Sequence, residues 1–333
     1  ALKHASEAVH PKVSSSGRLG YEYYNRLGYV PDNVNIGQSA ARTLEYAYND
    51  WAIYQLGKTL GKPESEIAVF AQRALNYRNV YNPQYKLMTG RNEQGQFDRN
   101  FVAEDWSGAF CEGNSWHWSF CVFHDPQGLM NIMGGQAAFN QMLDSIFIIP
   151  GALGMKSRGI IHEMREMQVM NMEQYAHGNQ PIQHLAYLYN YSGQAWKSQS
   201  YLREIMQKLY SATPDGYCGD EDNGQTSAWY VFSAMGFYPV CPGSGQYILG
   251  SPLFKSMKVR LENGKTFDIQ APDNSEDTPY IQSLKINGKK YDLNYLTHEN
   301  LLKGGVFRFE MSKEANRQRG MGKEAIPYSF TTH

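Results

Sequence analysis

The stretch SAARTLEYAYNDWAIYQLGKTLG, residues 39–61, has the pattern of a long α-helix. Its larger apolar side chains recur at close to three or four residues, which is the spacing of one buried helical face. They are Leu44, Tyr48, Trp51, Leu56 and Leu60. Ser39 or Thr43 can cap the start of this helix, and Gly61 can end it. Comparable patterns predict further helices at about 64–79, 114–123, 126–148, 160–172, 181–192, 194–211 and 225–236.

Further along the chain the pattern changes to that of short strands. Val259 and Leu261 alternate with charged residues, and the Asn-Gly dipeptide at 263–264 is typical of a two-residue hairpin turn. A second Asn-Gly follows at 287–288, and VFRF at 306–309 reads as another strand. These features predict a small antiparallel β unit.

The two patterns together predict a mainly α protein with a helical region over residues 1–250 and the β unit over 251–333. About eight predicted helices without a charged heptad seam do not suggest a coiled coil. Antiparallel helical hairpins arranged in a ring would bury such helices and leave loops clustered at one end.

Charge and composition narrow the function. Lys and Arg number 31 and Asp and Glu 32, so no excess charge attracts nucleic acid or anionic lipid. No apolar run approaches the ~20 residues of a membrane span. The four cysteines have neither CxxC spacing nor the density of a disulfide framework. Aromatic residues make up 14% of the chain, and aromatic faces with little net charge suit neutral ligands such as sugars.

The first candidate site is CEGNSWHW, residues 111–118. It places Glu112 before a predicted helix and beside Trp116 and Trp118. A carboxyl group against aromatic faces in a water-poor site is suited to general acid catalysis. The alternative is that Glu112 caps the following helix, where an acidic side chain is favoured in any case.

The second candidate site is GDEDNG, residues 219–224. Three consecutive acids repel one another, so they are expected either in a solvated loop or in a functional one. The solvated alternative makes Asp222 or Asn223 the N-cap of the next helix. The residues that follow do not have the ligand spacing of an EF-hand.

The third candidate site combines HEMRE at 162–166 with HGNQP at 177–181. His162, Glu163 and Glu166 are predicted on one helical face at a spacing of four, which could be an intrahelical polar stripe and nothing more. The motif is not HExxH, so zinc protease chemistry is not supported. Asn179 and Gln180 offer neutral oxygens that could bind a hard cation.

The sequence has no GxSxG elbow, no P-loop and no GxGxxG after a strand. Separated carboxylates, aromatic residues and oxygen ligands for a metal remain, and this combination is the chemistry of glycosidic bond cleavage.

Several longer motifs resemble glycoside hydrolase family 92. They are SAARTLEYAYNDW at 39–51, EGNSW at 112–116, HDPQGL at 124–129, HGNQP at 177–181, YLYNYSG at 187–193, GDEDNGQTSAW at 219–229 and SAMGFY at 233–238. They cover nearly all of residues 30–260 in the family's order. The resemblance implies a calcium-dependent exo-α-mannosidase that inverts the anomeric centre. It also implies an (α/α)6 toroid packed against an N-terminal β-sandwich.

At matching positions, the resemblance implies that Glu112 is the general acid. It implies that Asp220 and Asp222 activate the attacking water, with Asp222 as the base. It further implies that Asn179 and Gln180 are the calcium ligands.

The resemblance also implies contacts with the sugars. His162 and Glu163 match positions near the leaving-group sugar, a pair associated with α-1,2-linked substrates. Trp116 would form a wall of the pocket, although it could equally be a core residue.

Family members are much longer than this chain, which is therefore expected to correspond to the C-terminal part of such an enzyme, with little activity by itself. The expected partners are mannose-containing glycans, the N-terminal β-sandwich and the remaining toroid segment. The resemblance suggests a periplasmic or secreted location. Two other functions stay open, namely a toroid glycosidase for another sugar and a glycan-binding fragment without turnover.

Overall fold

The structure is a computed structural model that describes residues 5–12, 17–151 and 161–332. The chain forms two compact units, Ala1–Ala176 and His177–His333, called unit 1 and unit 2 below. Helix accounts for 37% of the chain and strand for 15%, so the predicted combination of helices with antiparallel sheets is confirmed. None of the helices within the described ranges is long and apolar enough to cross a membrane.

Unit 1 is mainly helical. Its described part contains α1 (Tyr21–Leu27), α2 (Ser39–Thr59), α3 (Glu64–Arg73), α4 (Ser115–Trp118), α5 (Pro126–Ile132), α6 (Gln136–Ser145), α7 (His162–Met170), a 3-10 helix (Asn76–Val80) and the paired strands β1 (Tyr81–Asn82) and β2 (Leu87–Met88). Two predicted helices are shorter than expected. The region 114–123 forms only the single turn α4, and 126–148 is divided between α5 and α6 by two left-handed glycines, Gly134 and Gly135.

Helix α2 confirms the long helix predicted from its apolar spacing, with Leu44 and Trp51 almost completely buried. The predicted buried face ends before the last turn, because Leu56 and Leu60 are 40% and 64% exposed. Gly57 takes their place against α3, since a Cβ at that position would lie 2.6 Å from Ile67 Cγ2. The helix begins after Gln38 and has no side-chain cap, so the prediction of a Ser39 or Thr43 cap is wrong.

Unit 2 combines helices with two sheets. Its described part contains 3-10 helices at Gln180–Ile182, Leu185–Asn190 and Lys323–Ala325, and the helices α8 (Ala195–Lys208), α9 (Gln225–Met235) and α10 (His298–Lys303). The strands are β3 (Phe237–Tyr238), β4 (Gln246–Leu249), β5 (Ser256–Arg260), β6 (Thr266–Gln270), β7 (Tyr280–Ile286), β8 (Lys289–Lys290), β9 (Tyr295–Thr297) and β10 (Gly305–Ser312). The helix predicted at 181–192 is wrong in type, because this segment folds as 3-10 turns.

The sheets of unit 2 have the orders β5-β6-β10-β7-β8 and β3-β4-β9. Both Asn-Gly hairpins are confirmed as β5–β6 and β7–β8. The β unit is not purely antiparallel, since β10 pairs with β6 in parallel, with Gly305 opposite Phe267. The chain passes through β7, β8, β9 and α10 between these two strands, which is a crossover long enough for parallel pairing.

Helix and strand are packed together within unit 2. Arg203 on α8 is buried and donates to Pro252 O at 2.8 Å and to Asn274 Oδ1 at 2.7 Å. A Cβ on Gly250 would lie 2.7 Å from Leu202 Cδ1, so this glycine allows the strand segment to approach α8 closely. The domain boundary predicted at 250/251 stays a prediction, and the compact units divide at 176/177.

Candidate active site

Glu112 lies in the loop before α4 and has a left-handed backbone, with φ 45°. This conformation costs a non-glycine residue ~1–2 kcal/mol, so neighbouring contacts must hold it. Trp118 donates its indole N–H to Cys111 O at 2.7 Å, and Ser107 donates its backbone N–H to Gly113 O at 3.0 Å. The carbonyl groups of both neighbours of Glu112 are therefore fixed.

The cap of α4 is Asn114, so the alternative prediction that Glu112 caps this helix is wrong. His117 N donates to Asn114 Oδ1 at 3.3 Å, and Asn114 N donates to His117 Nδ1 at 3.2 Å. His117 Nε2 lies 2.9 Å from Gln174 O and acts as the donor, because Nδ1 is already an acceptor. Burial lowers the pKa of His117 to about 4, which keeps this capping imidazole neutral.

Glu112 borders a cavity of about 940 Å³ in unit 1. This volume lies within the range of pockets that hold small ligands, ~300–1,000 Å³. The wall combines polar and aromatic side chains. They include Asp32, Asn35, Arg42, Asp98, Asn100, Phe101 and Trp106.

Trp106 and not Trp116 belongs to the described lining of this cavity. Trp116 is 8% exposed and donates its indole N–H to Glu104 Oε1 at 3.2 Å. Its predicted role as a pocket wall stays a prediction, whereas its packing agrees with the alternative that it is a core residue.

Asp32 is a cavity carboxylate that sequence reasoning missed. Burial raises the pKa of Asp32, and the nearby charge of Asp98 raises it further. A Cβ on Gly90 would lie 2.6 Å from Asp32 Oδ2, so any other residue there would displace this carboxylate. The signal in the sequence was weak, since neither Asp32 nor Gly90 belongs to a motif with known spacing.

His162 and Glu163 begin helix α7, and their neighbours Ile161 and Met164 line the same cavity as Glu112. His162 is exposed and pairs with two acids, through Nδ1 to Glu166 Oε1 at 2.9 Å and through Nε2 to Glu163 Oε1 at 3.3 Å. The predicted intrahelical polar stripe is therefore present. Glu163 Oε2 is buried and has no hydrogen-bond partner in the described part of the chain.

The acidic loop of unit 2 precedes α9, and both Asp220 and Asp222 are exposed. Asp222, Asn223 and Gly224 have successive left-handed backbones, with φ 57°, 56° and 103°. Gln180 donates its side-chain amide to the carboxylate of Asp222. The structure thus brings the HGNQP loop and the predicted base into direct contact within unit 2.

The N-cap of α9 is Gly224, so the predicted capping by Asp222 or Asn223 is wrong. Instead Glu221 accepts the Gly224 amide at Oε2, at 2.8 Å, and the Ser227 amide at Oε1, at 3.4 Å. The Ser227 hydroxyl and then the Gly224 amide lower the pKa of Glu221. Sequence reasoning missed the role of this residue, because Glu221 lies before the first helical turn, where acids are usually expected.

The cation ligands predicted from the sequence lie side by side at the start of a 3-10 helix. Asn179 Oδ1 accepts the Gln180 amide at 3.1 Å. Gln180 uses its side-chain nitrogen for Asp222, so its oxygen is the atom suited to a hard cation. Within residues 5–12, 17–151 and 161–332, no group of three or more His, Cys, Asp or Glu side chains is arranged to hold a metal.

The predicted residues therefore form two sets. Glu112, His162 and Glu163 belong to unit 1. Glu112 lines the cavity, and His162 and Glu163 lie next to lining residues of the same cavity. Asn179, Gln180, Asp220 and Asp222 belong to unit 2, where the Gln180 contact joins the two predicted groups.

Comparison with known proteins gives one family for the chain. The model of the glycosyl hydrolase family 92 catalytic domain matches residues 1–313. A solved inverting mannosidase of family GH92 from Bacteroides thetaiotaomicron is 49% identical with a TM-score of 0.89, and the match covers 99% of this chain and 45% of that one.

Two further relatives agree. A GH92 α-mannosidase from Bacteroides thetaiotaomicron, solved in complex with mannoimidazole, is 37% identical with a TM-score of 0.86, over 94% of this chain and 41% of that one. An uncharacterized secreted glycosidase from Arthroderma benhamiae is 27% identical over 98% of this chain and 43% of its own. The chain thus spans less than half the length of each of these relatives.

Proposed function

The chain belongs to glycosyl hydrolase family 92, and from this membership we propose that it supplies catalytic residues for the hydrolysis of terminal α-linked mannose with inversion. The solved relatives that are 49% and 37% identical are mannosidases, and the first is described as inverting. The observation that carries the proposal is the carboxylate of Glu112 at the border of the 940 Å³ cavity, on a backbone held in a strained conformation. Such strain is concentrated at functional sites.

Inverting hydrolysis needs one carboxylic acid and one carboxylate. Glu112 protonates the departing glycosidic oxygen, since this exposed carboxylic acid borders the cavity that would hold the sugar. Asp222 removes a proton from the attacking water, which suits an exposed carboxylate oriented by the Gln180 amide. Asp220 supports that step as a second negative charge in the same loop.

The cavity binds the sugar hydroxyls in this proposal. Asp32 and Asn35 accept or donate hydrogen bonds, and the ring of Trp106 offers an apolar face to the sugar. Glu163 is assigned to the leaving-group sugar, and its buried oxygen Oε2 would accept a hydroxyl. An α-1,2 linkage is the preferred substrate because this pair, His162 and Glu163, is associated with that linkage in the family.

Calcium is part of the proposal. The oxygens of Asn179 and Gln180 would hold the ion together with other oxygen ligands, because Ca²⁺ takes ~6–8 oxygens. The ion would supply positive charge and fixed positions for substrate hydroxyls. Chelation should remove turnover and added calcium should restore it. The chelator-treated protein should bind calcium in titration calorimetry, and Gln180→Ala should weaken that binding. Unchanged turnover after exhaustive chelation would refute the assignment.

We also propose that the helices belong to an (α/α)6 toroid and that the protein works outside the cytoplasm. Family membership supports the first point, and the description of the Arthroderma relative as secreted supports the second.

The test of the proposed function is turnover of nitrophenyl α-mannoside by the whole protein, with nitrophenyl α-glucoside as the control. Proton NMR of the first product should show β-mannose. Hydrolysis of the glucoside alone would favour a toroid glycosidase for another sugar. Binding to a mannan glycan array without any turnover would instead favour a glycan-binding module.

A further inference from the structure

The acidic loop of unit 2 contains a third acid, Glu221, that behaves differently from its two neighbours. Asp220 and Asp222 are exposed, whereas Glu221 is partly buried and turned toward the start of α9. The three consecutive acids are therefore divided between two tasks, with the outer two available to solvent and the middle one bound to the helix.

Glu221 satisfies most of the free amides at the start of α9. A helix leaves its first four N–H groups without partners inside the helix. Thr226 N donates to Glu221 O at 3.1 Å, and the Glu221 carboxylate accepts the amides of Gly224 at 2.8 Å and Ser227 at 3.4 Å. The negative charge also interacts favourably with the positive end of the helix dipole.

The same side chain closes a ring around the strained turn. Asp222, Asn223 and Gly224 are left-handed in succession. Asp and Asn tolerate this conformation better than other residues, but it persists only where surrounding contacts determine it. Glu221 precedes the strained residues, and its carboxylate binds the amide of the last one, so the turn cannot open while this bond is present.

Two further hydrogen bonds join the main-chain carbonyls of the outer acids to α9. Gln225 N donates to Asp222 O at 3.2 Å, and the Thr226 hydroxyl donates to Asp220 O at 3.1 Å. The carbonyls of both outer acids are thus bound to the first turn of α9. Their carboxylates take their positions from this attachment.

We infer that Glu221 is a positioning residue, which fixes the carboxylate of Asp222 by clamping the left-handed turn onto α9. The inference rests on the proposed role of Asp222 as the base. A catalytic group must be held close to its productive geometry, because a misplacement of about 1 Å can cost ~10²-fold in rate. Gln180 contacts the Asp222 side chain directly, whereas Glu221 acts on Asp222 through the Gly224 and Ser227 amides and the Ser227 hydroxyl.

The experiment compares Glu221→Ala and Glu221→Gln with Thr297→Ala in the whole protein. Thr297 is a matched control because its hydroxyl accepts the Asn300 amide at 3.1 Å and caps α10, another helix of the same unit. The readouts are kcat and KM for an aryl α-mannoside, and hydrogen exchange of the amides of Gly224 and Ser227.

Glu221→Ala should lower kcat by ~10–10²-fold with KM changed less than twofold, and both amides should exchange faster. Glu221→Gln should lie between Glu221→Ala and the wild type, because its single amide oxygen can accept only part of these bonds. Thr297→Ala should keep kcat.

A Glu221→Ala variant with wild-type kcat, or a kcat loss equal to that of Thr297→Ala, would overturn the inference. A wild-type protein without mannosidase turnover would refute the proposed function, whereas unchanged exchange in Glu221→Ala would refute the clamp itself.

Discussion

The Glu112 loop of unit 1 and the Asp222 loop of unit 2 each hold a carboxylate in a fixed position, and they do so with different contacts. Each holds its carboxylate on a left-handed backbone, with φ 45° at Glu112 and 57° at Asp222. The Glu112 loop is fixed by the indole of Trp118, a residue that is 6% exposed, and by a backbone bond from Ser107. Glu112 and Asp222 are both exposed, but the Asp222 loop depends on the Glu221 carboxylate and on the start of a helix.

The difference fits the two proposed tasks. A general acid must be held at the departing oxygen, and the bond from the buried Trp118 indole fixes the main chain beside Glu112 for that task. A base that activates water must reach solvent. The Asp222 loop is accordingly held through its backbone and the start of α9. The two loops therefore predict different responses to mutation.

The largest effect is expected from Asp222→Asn. This change removes the proposed base and keeps the size of the side chain. General base catalysis contributes typically ~10²–10⁴-fold, so kcat should fall by that amount for every substrate. The measurement is kcat for aryl α-mannosides that differ in leaving-group pKa. An activated leaving group should not rescue the variant, because water must still be deprotonated.

Glu112→Gln is expected to lower kcat as much as Asp222→Asn does for substrates with poor leaving groups. For substrates with good leaving groups the loss should be much smaller. The proposed acid is needed only where the departing oxygen requires a proton. Dinitrophenyl α-mannoside should therefore restore most of the lost kcat. Equal rescue of Glu112→Gln and Asp222→Asn would show that the two loops have been given the wrong roles.

Trp118→Phe should have a smaller effect. It keeps a ring in place and removes the bond to Cys111 O, so an unpaired carbonyl is left at a cost of ~1–3 kcal/mol. A several-fold loss of kcat that good leaving groups restore is expected, since only the acid is displaced. The matched control is Trp229→Phe, which removes a 2.8 Å indole bond to Gln183 O in unit 2. Leaving-group rescue of the control to the same extent would contradict the comparison.

The sequence predicted the type of most elements where local signals were strong. Apolar spacing predicted α2, and the Asn-Gly turns predicted two hairpins. The parallel pairing of β10 with β6 could not be predicted, because strand order depends on contacts between segments far apart in sequence. The 3-10 turns at Leu185–Asn190 were missed because their apolar spacing resembles that of a helix.

The candidate residues followed from motifs, but the way they are held did not. No pattern indicated that Asn114 rather than Glu112 caps α4, since both residue types occur at helix starts. The role of Glu221 was hidden for a related reason. Three acids in a row look equivalent in the sequence, and only the fold turns the middle one toward the helix.

The smallest expected effect is on the free energy of unfolding and not on turnover. Its dependence on pH should differ between variants in the two regions. Burial lowers the pKa of His117, in the helix that follows the Glu112 loop, to about 4, against 6.5 for an ordinary histidine. Between these values the unfolded state binds more protons than the folded state, so the free energy of unfolding should fall as the pH is lowered from 7 to 5. The expected contribution of His117 over this interval is about 2 kcal/mol.

Glu221 should not contribute over the same interval. Its pKa is lowered from 4.5 by the Ser227 hydroxyl and the Gly224 amide. Glu221 is therefore largely ionised in both the folded and the unfolded state between pH 7 and 5. Its stabilising bonds are therefore lost only in stronger acid. Urea unfolding at pH 7, 6 and 5 measures the difference. His117→Gln should lose about 2 kcal/mol of the wild-type pH dependence, whereas Glu221→Gln should keep all of it. Equal slopes for the wild type and His117→Gln would show that the imidazole under the Glu112 loop is not held neutral by burial.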